Sequence, residues 1–178
     1  MKNTPTNSYQ LMITEEDILK KISSLAEDLN EKYHDKQLVI VMILKGSICF
    51  VADLIRRLKI PFVLEAIRCE SYGLKGVERG ALTISGLDLI DFKDKYVLVV
   101  DDIFDSGYTL HSVLEQIQLQ KPKSLISAVL LAKNVDRHVL AKPDYVLFNI
   151  KNEFVIGYGL DFKELYRGLP GIYQFTTS

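Results

Sequence analysis

Apolar residues in this chain keep two rhythms, and the way these alternate along the sequence predicts the fold. Ile18, Ile22, Leu25 and Leu29 recur at helical spacing among acids and lysines, and Thr14-Glu-Glu-Asp17 before them resembles a capping box with Asp in the usual place of Glu. An amphipathic helix is expected there, with Glu27, Asp28, Glu31 and Lys32 on its solvated face and a polar lead of about ten residues before it. Residues 39–44, Val-Ile-Val-Met-Ile-Leu, are continuously apolar and of strand length, which is the pattern of a strand covered on both faces. Lys45-Gly46-Ser47 interrupts the run, and a second helix is expected over 48–58. Strand-like runs return at 61–68, 96–100, 124–131 and 145–150, with a shorter one from Phe154. A helix carried by Leu110, Val113, Leu114 and Ile117, and ended by Lys121-Pro122, lies between the second and third of these. Alternation of this kind predicts an α/β fold, a mostly parallel twisted sheet flanked by helices.

Composition narrows the class. With 178 residues, 48% of them hydrophobic and 25% charged, the chain suits a single domain with a real core. A net charge of −1 points away from nucleic acid and from anionic membrane surfaces. The N-terminus has no apolar stretch of signal-peptide type, and the clearest apolar run is far too short to span a bilayer, so a cytoplasmic protein with no membrane partner is expected. Cys49 and Cys69 have no paired spacing and are expected as buried free thiols. His34, His111 and His138 lack metal-ligand spacing. From 70 to 86 the periodicity dissolves into Ser-Tyr-Gly, Lys-Gly and Arg-Gly, which suits a flexible hairpin or lid, and composition alone leaves a binding lid and a disordered loop equally open.

The chemistry is concentrated where the 96–100 strand ends. Asp101, Asp102 and Asp105 follow it directly, and Ser106, Gly107, Tyr108 and Thr109 open the next helix. A helix N-terminus offers unpaired N–H groups and a favourable dipole to a phosphate. Carboxylates beside such a cradle would repel the ligand unless a divalent cation lay between them, so the pattern calls for Mg²⁺ held by oxygen ligands and by the substrate. One Asp at a strand end is ordinary solvation; three beside a glycine and two hydroxyls point to a site. Lys45-Gly46 and Lys133, each at a strand end, are weak signals taken singly: the former lacks the upstream glycine of a Walker loop.

The 96–110 segment resembles the phosphoribosyl-pyrophosphate signature of the type I phosphoribosyltransferases, in particular their hypoxanthine-guanine branch. Asp101 stands where that branch usually has Glu, so contact with a ribose hydroxyl is expected through metal or water. The resemblance extends from about 39 to 167. It implies a pyrophosphate loop at Lys45 and Gly46 with a cis peptide before the lysine, and an active-site loop over about 70–86 that opens with Ser71 and Tyr72. It implies contact between Lys133 and the purine O6. Residues 154–161, Phe-Val-Ile-Gly-Tyr-Gly-Leu-Asp, are similar to the family's base-binding segment, with Gly159 in place of Ala. There the resemblance implies that Phe154 stacks on the purine, the Val155 backbone bonds its edge, Asp161 helps place the metal and Arg167 clamps pyrophosphate. A hood built from the termini, with its base-binding part at about 150–178, would hold these residues.

The implied activity is Mg²⁺-dependent transfer of phosphoribosyl from phosphoribosyl pyrophosphate to N9 of hypoxanthine or guanine, in a homodimer or homotetramer. Asp105 would be the general base, and the 5′-phosphate would rest on 106–109; Asp101, Asp102 and Asp161 would serve the metal. The two bases differ at a position assigned to backbone groups near Val155 and Asp161, so side-chain identities do not separate them. A nucleotide- and RNA-binding regulator of this fold would carry a basic surface. A receiver-type domain would not need the 154–161 segment.

Overall fold

The computed structural model describes residues 8–71, 82–135 and 142–176. Its elements run β1 (Ser8–Ile13), α1 (Glu15–Lys32), β2 (Leu38–Leu44), α2 (Ile48–Ile55), β3 (Phe62–Ser71), β4 (Leu82–Ser85), a 3₁₀ turn (Leu87–Leu89), β5 (Tyr96–Phe104), α3 (Tyr108–Leu119), β6 (Ser124–Lys133), β7 (Tyr145–Ile150), β8 (Val155–Ile156) and β9 (Ile172–Thr176). Six strands form the main sheet in the order β4-β3-β2-β5-β6-β7. All neighbours are parallel except β3 and β4.

The apolar runs are continuous because the sheet is covered on both sides. On β2 and β5, Leu38, Ile40, Leu98 and Val100 pack with α1 and α2, while Val39, Val41, Val97 and Val99 pack with α3. In a strand successive side chains point to opposite faces, so neither set can be polar. α1 begins as its sequence requires: Thr14 Oγ1 accepts the Asp17 N–H at 3.1 Å and donates to Asp17 Oδ2 at 2.7 Å. Ile18, Ile22, Leu25 and Leu29 are all buried on its inner face. Each such side chain stabilises by about 1.5–3 kcal/mol through burial, and Ile22→Ala would cost about 2–5 kcal/mol.

Three expectations need correction. The polar lead contains β1, antiparallel to β9, which also pairs with β8 in a separate three-stranded sheet, β1-β9-β8. Most of β1 is exposed, so its sequence shows no buried alternation, and its partner lies at the other end of the chain. α2 stops at Ile55, short of residue 58. The 70–86 stretch has hairpin pairing at its two ends, as expected, from Arg68 opposite Ser85 to Ser71 opposite Leu82; Tyr72 lies outside the described residues. Cys49 and Cys69 are free, as expected, but half-buried. Among the described residues no helix is long and apolar enough to cross a membrane.

Candidate active site

The parallel strands end on one side of the sheet, where ligands of such folds bind, and the segments after β2 and β5 meet there. They enclose a cavity of about 340 Å³ lined by Lys45, Gly46, Asp101, Asp102, Asp105, Ser106, Gly107 and Thr109, together with Asp161 and Arg167 from the segment between β8 and β9. Ten of the residues singled out in the sequence thus share one space. Lys133 joins them indirectly, through Asp105. Tyr108 is exposed at the start of α3, and neither it nor Phe154 nor Val155 is among the residues that line this cavity.

Asp101 and Asp102 form the floor. The Asp102 N–H donates to Asp101 Oδ1 at 3.0 Å, and the Ile103 N–H to Asp102 Oδ1 at 2.8 Å. Burial, then the adjacent Asp102 carboxylate, holds Asp101 well above the ordinary carboxylate range; burial likewise raises Asp102. Gly46 makes room for this pair, because a Cβ on it would overlap the Asp102 carboxylate. The Leu44–Lys45 peptide before it is cis. Ser47 is turned away, its hydroxyl donating to the Ile43 carbonyl at 2.5 Å. Cys69 lines the same wall, and burial, then the Asp101 charge, pushes its thiol up to about 12, so it stays protonated and unreactive at neutral pH.

Beyond the acids the backbone turns at Gly107, whose φ of 80° admits a glycine without strain. Gly107 is the N-cap of α3 and has no side chain to cap the helix; Ser106 Oγ accepts only a long 3.4 Å bond from the Tyr108 N–H. The first-turn N–H groups are therefore available to an anion. Lys133, at the end of β6 and only 12% exposed, donates to Asp105 Oδ2 at 2.8 Å.

The far wall comes from 157–167. Arg167 donates to the Gly159 carbonyl at 2.8 Å and pairs with Asp161 Oδ1 at 2.8 Å. Asp161 Oδ2 accepts the Glu164 N–H at 2.8 Å. Glu164 Oε2 in turn pairs with Lys45 at 2.9 Å and Arg167 at 3.3 Å. The Lys45 bond first, then Arg167, holds Glu164 below its ordinary range. Gly159 lies so close to the Gly46 carbonyl oxygen that a Cβ would overlap it, which gives the glycine in place of alanine a steric reason. Val155 is buried and paired with Gln174 in β9. Phe154 is half exposed, in edge contact with Phe162 at 5.7 Å and near Phe175 at 6.0 Å. Glu164 and Cys69 escaped the sequence reading: an acid in a turn and a cysteine on a strand carry no local signal of where they point.

The donors here are oxygens, which suit a hard divalent cation. Among the described residues no three His, Cys, Asp or Glu side chains converge to hold a metal unaided. The site fits an ion that takes the rest of its shell from ligand and water, and the buried Asp101 and half-buried Asp102 are the groups such an ion would relieve.

Strand ends that place acids, a helix N-terminus and two cations around one cavity suit a phosphorylated ligand together with a divalent cation. The chain belongs to the phosphoribosyltransferase family: residues 10–163 match the phosphoribosyl transferase domain. Within that family it is similar to the hypoxanthine phosphoribosyltransferase of Salmonella typhimurium, 38% identical over 92% of this chain and 93% of that one. It is also 38% identical to the hypoxanthine-guanine-xanthine phosphoribosyltransferase of Tritrichomonas foetus, over 92% of this chain and 89% of the relative. The crystal structure of a hypoxanthine phosphoribosyltransferase from Staphylococcus aureus superposes with a TM-score of 0.86 at 37% identity, covering 94% of this chain and 91% of that chain.

Proposed function

We propose that the protein transfers a 5-phosphoribosyl group from phosphoribosyl pyrophosphate to N9 of hypoxanthine, and of guanine, releasing pyrophosphate and the nucleoside monophosphate. One observation carries the reading: buried acids, an open helix N-terminus and the Lys45–Arg167 pair line one cavity of substrate size. The anomeric carbon loses pyrophosphate through an oxocarbenium-like state, and stabilising the departing charge is the largest task. Lys45 and Arg167 hold the pyrophosphate. The N–H groups of 106–109 and the hydroxyls of Ser106 and Thr109 hold the 5′-phosphate. Asp105 takes the purine proton as general base, and Lys133 meets the purine O6. Phe154 and Val155 bind the base from a hood formed by the three-stranded sheet, while Ser71 and Tyr72 begin the loop that closes over it.

Asp101, Asp102 and Asp161 would serve Mg²⁺ through substrate oxygens and water, since the three do not converge on one point, and the ion would supply Lewis-acid stabilisation of the leaving pyrophosphate. The same reading includes a cytoplasmic homodimer or homotetramer acting as one functional unit over 1–178. Initial rates with hypoxanthine, guanine, xanthine and adenine, each with phosphoribosyl pyrophosphate, with and without Mg²⁺, test it. Turnover of the 6-oxopurines that needs the metal is the expected result, and no turnover of any base would reject the reading.

A further inference from the structure

We propose that Glu164 is a built-in stand-in for pyrophosphate: its carboxylate occupies the seat between Lys45 and Arg167 while the ligand is away and must leave before the ligand can enter. This rests on the role given to those two cations in the proposed reaction. Lys45 follows β2 and Arg167 lies far along the chain, yet one oxygen of Glu164 touches both, at 2.9 and 3.3 Å. An anion already bridges the two groups that a larger anion is expected to bridge.

The backbone around Glu164 is shaped for this. Phe162 and Leu165 exchange N–H···O bonds of 3.1 and 3.0 Å, so Lys163 and Glu164 are the two turn residues of a tight hairpin. Both are left-handed, with φ of 53° and 65°. Such turns favour Gly, Asn or Asp at both places, so a long side chain there carries a strain that its contacts must offset. The Asp161 carboxylate fixes the turn by accepting the Glu164 N–H.

The carboxylate is placed so that it can leave. Glu164 is 66% exposed and Lys45 50%, so ions rather than packing hold the contact. Pairs this exposed are weak and salt-screened. A multiply charged pyrophosphate outcompetes a single carboxylate for the same two cations. Arg167 Nε is buried and has no acceptor among the described residues, so the guanidinium keeps capacity for one more oxygen. On the return stroke the same competition hastens pyrophosphate release.

Calorimetric titration of inorganic pyrophosphate with Mg²⁺ into wild type and Glu164→Gln, together with the KM for phosphoribosyl pyrophosphate, decides the matter. Removing the charge should tighten pyrophosphate binding and lower that KM by roughly two- to thirtyfold at low salt, the range expected for two exposed ion pairs. The gap should narrow in 0.5 M NaCl, on the order of several times physiological ionic strength. Glu164→Ala should move both in the same direction. Unchanged or weaker pyrophosphate binding in Glu164→Gln overturns the stand-in. Because the titration needs no turnover, a wild-type protein inactive on purines would reject the reaction and leave this result readable.

Discussion

Asp101 and Asp102 enter the cavity from the end of a central strand packed on both faces, whereas Asp161 and Arg167 enter it from a run of turns that also carries Glu164 and in which Gly157, Tyr158, Gly159, Lys163, Glu164 and Tyr166 all have positive φ. The acids on the strand sit among buried residues, where burial drives both pKa values up. The charged groups on the turns answer one another at the surface: Arg167 with Asp161 and Glu164, and Glu164 with Lys45. One wall is built on a strand packed on both faces and carries acids that burial disfavours as anions. The other has satisfied its charges with contacts weak enough to exchange. On the proposed reaction, a site that binds a metal and a large anion and then releases a product would use both kinds of wall.

The largest expected effect is on the strand-built wall. Asp105→Asn should lower kcat by roughly 10²–10⁴ with little change in KM, because a general base matters mainly in the transition state. Steady-state kinetics would show it, and a change confined to KM would make Asp105 a binding group. Next is the seam between the walls. Gly46→Ala puts a methyl group where the Asp102 carboxylate lies, and the forced shift should reduce kcat/KM by about 10²-fold, the usual cost of an ångström of misplacement.

The tether of the turn-built wall comes third. Tyr158 OH donates to Asp53 on α2, and Asp53 is also paired with Arg56. Tyr158→Phe should lower unfolding stability by about 1.5–3 kcal/mol, as for a hydrogen bond to a charged group. Urea titration would measure it, and an unchanged midpoint would mean that this wall is held by other contacts.

The smallest effect has the opposite sign. The folded-state pKa of Asp101 lies above its unfolded value, so between the two the folded state holds a proton that the unfolded state has released. Stability therefore falls as pH rises through that window, and above it the protein carries the cost of the buried charge. Asp101→Asn removes that cost and should raise Tm at pH 8 by about 2–4 °C, with less gain near pH 4, while weakening Mg²⁺ binding. A Tm that drops at pH 8 would mean that Asp101 stabilises the fold through contacts other than those seen here.

Much of the sheet was legible because its cause is local. A run such as Val-Ile-Val-Met-Ile-Leu has to be a strand covered on both sides, and acids before a glycine and a helix fall near the strand ends, although β5 runs on to Phe104 and so holds Asp101 and Asp102 within the strand. β1 was not legible, since four of its six residues are exposed and the strand it pairs with is at the opposite terminus. Nor was Glu164, whose meaning depends on Lys45 more than a hundred positions away.

By itself the sequence determined the parallel sheet, the positions of Asp101, Asp102 and Asp105 at a strand end, and the open start of α3, because hydrophobic period and chain connectivity act over a few neighbours. Only the tertiary structure decided which charges are buried without a counter-charge and which are already paired, because that depends on the distance and solvent exposure of groups brought together from β2, β5 and the 157–167 turns.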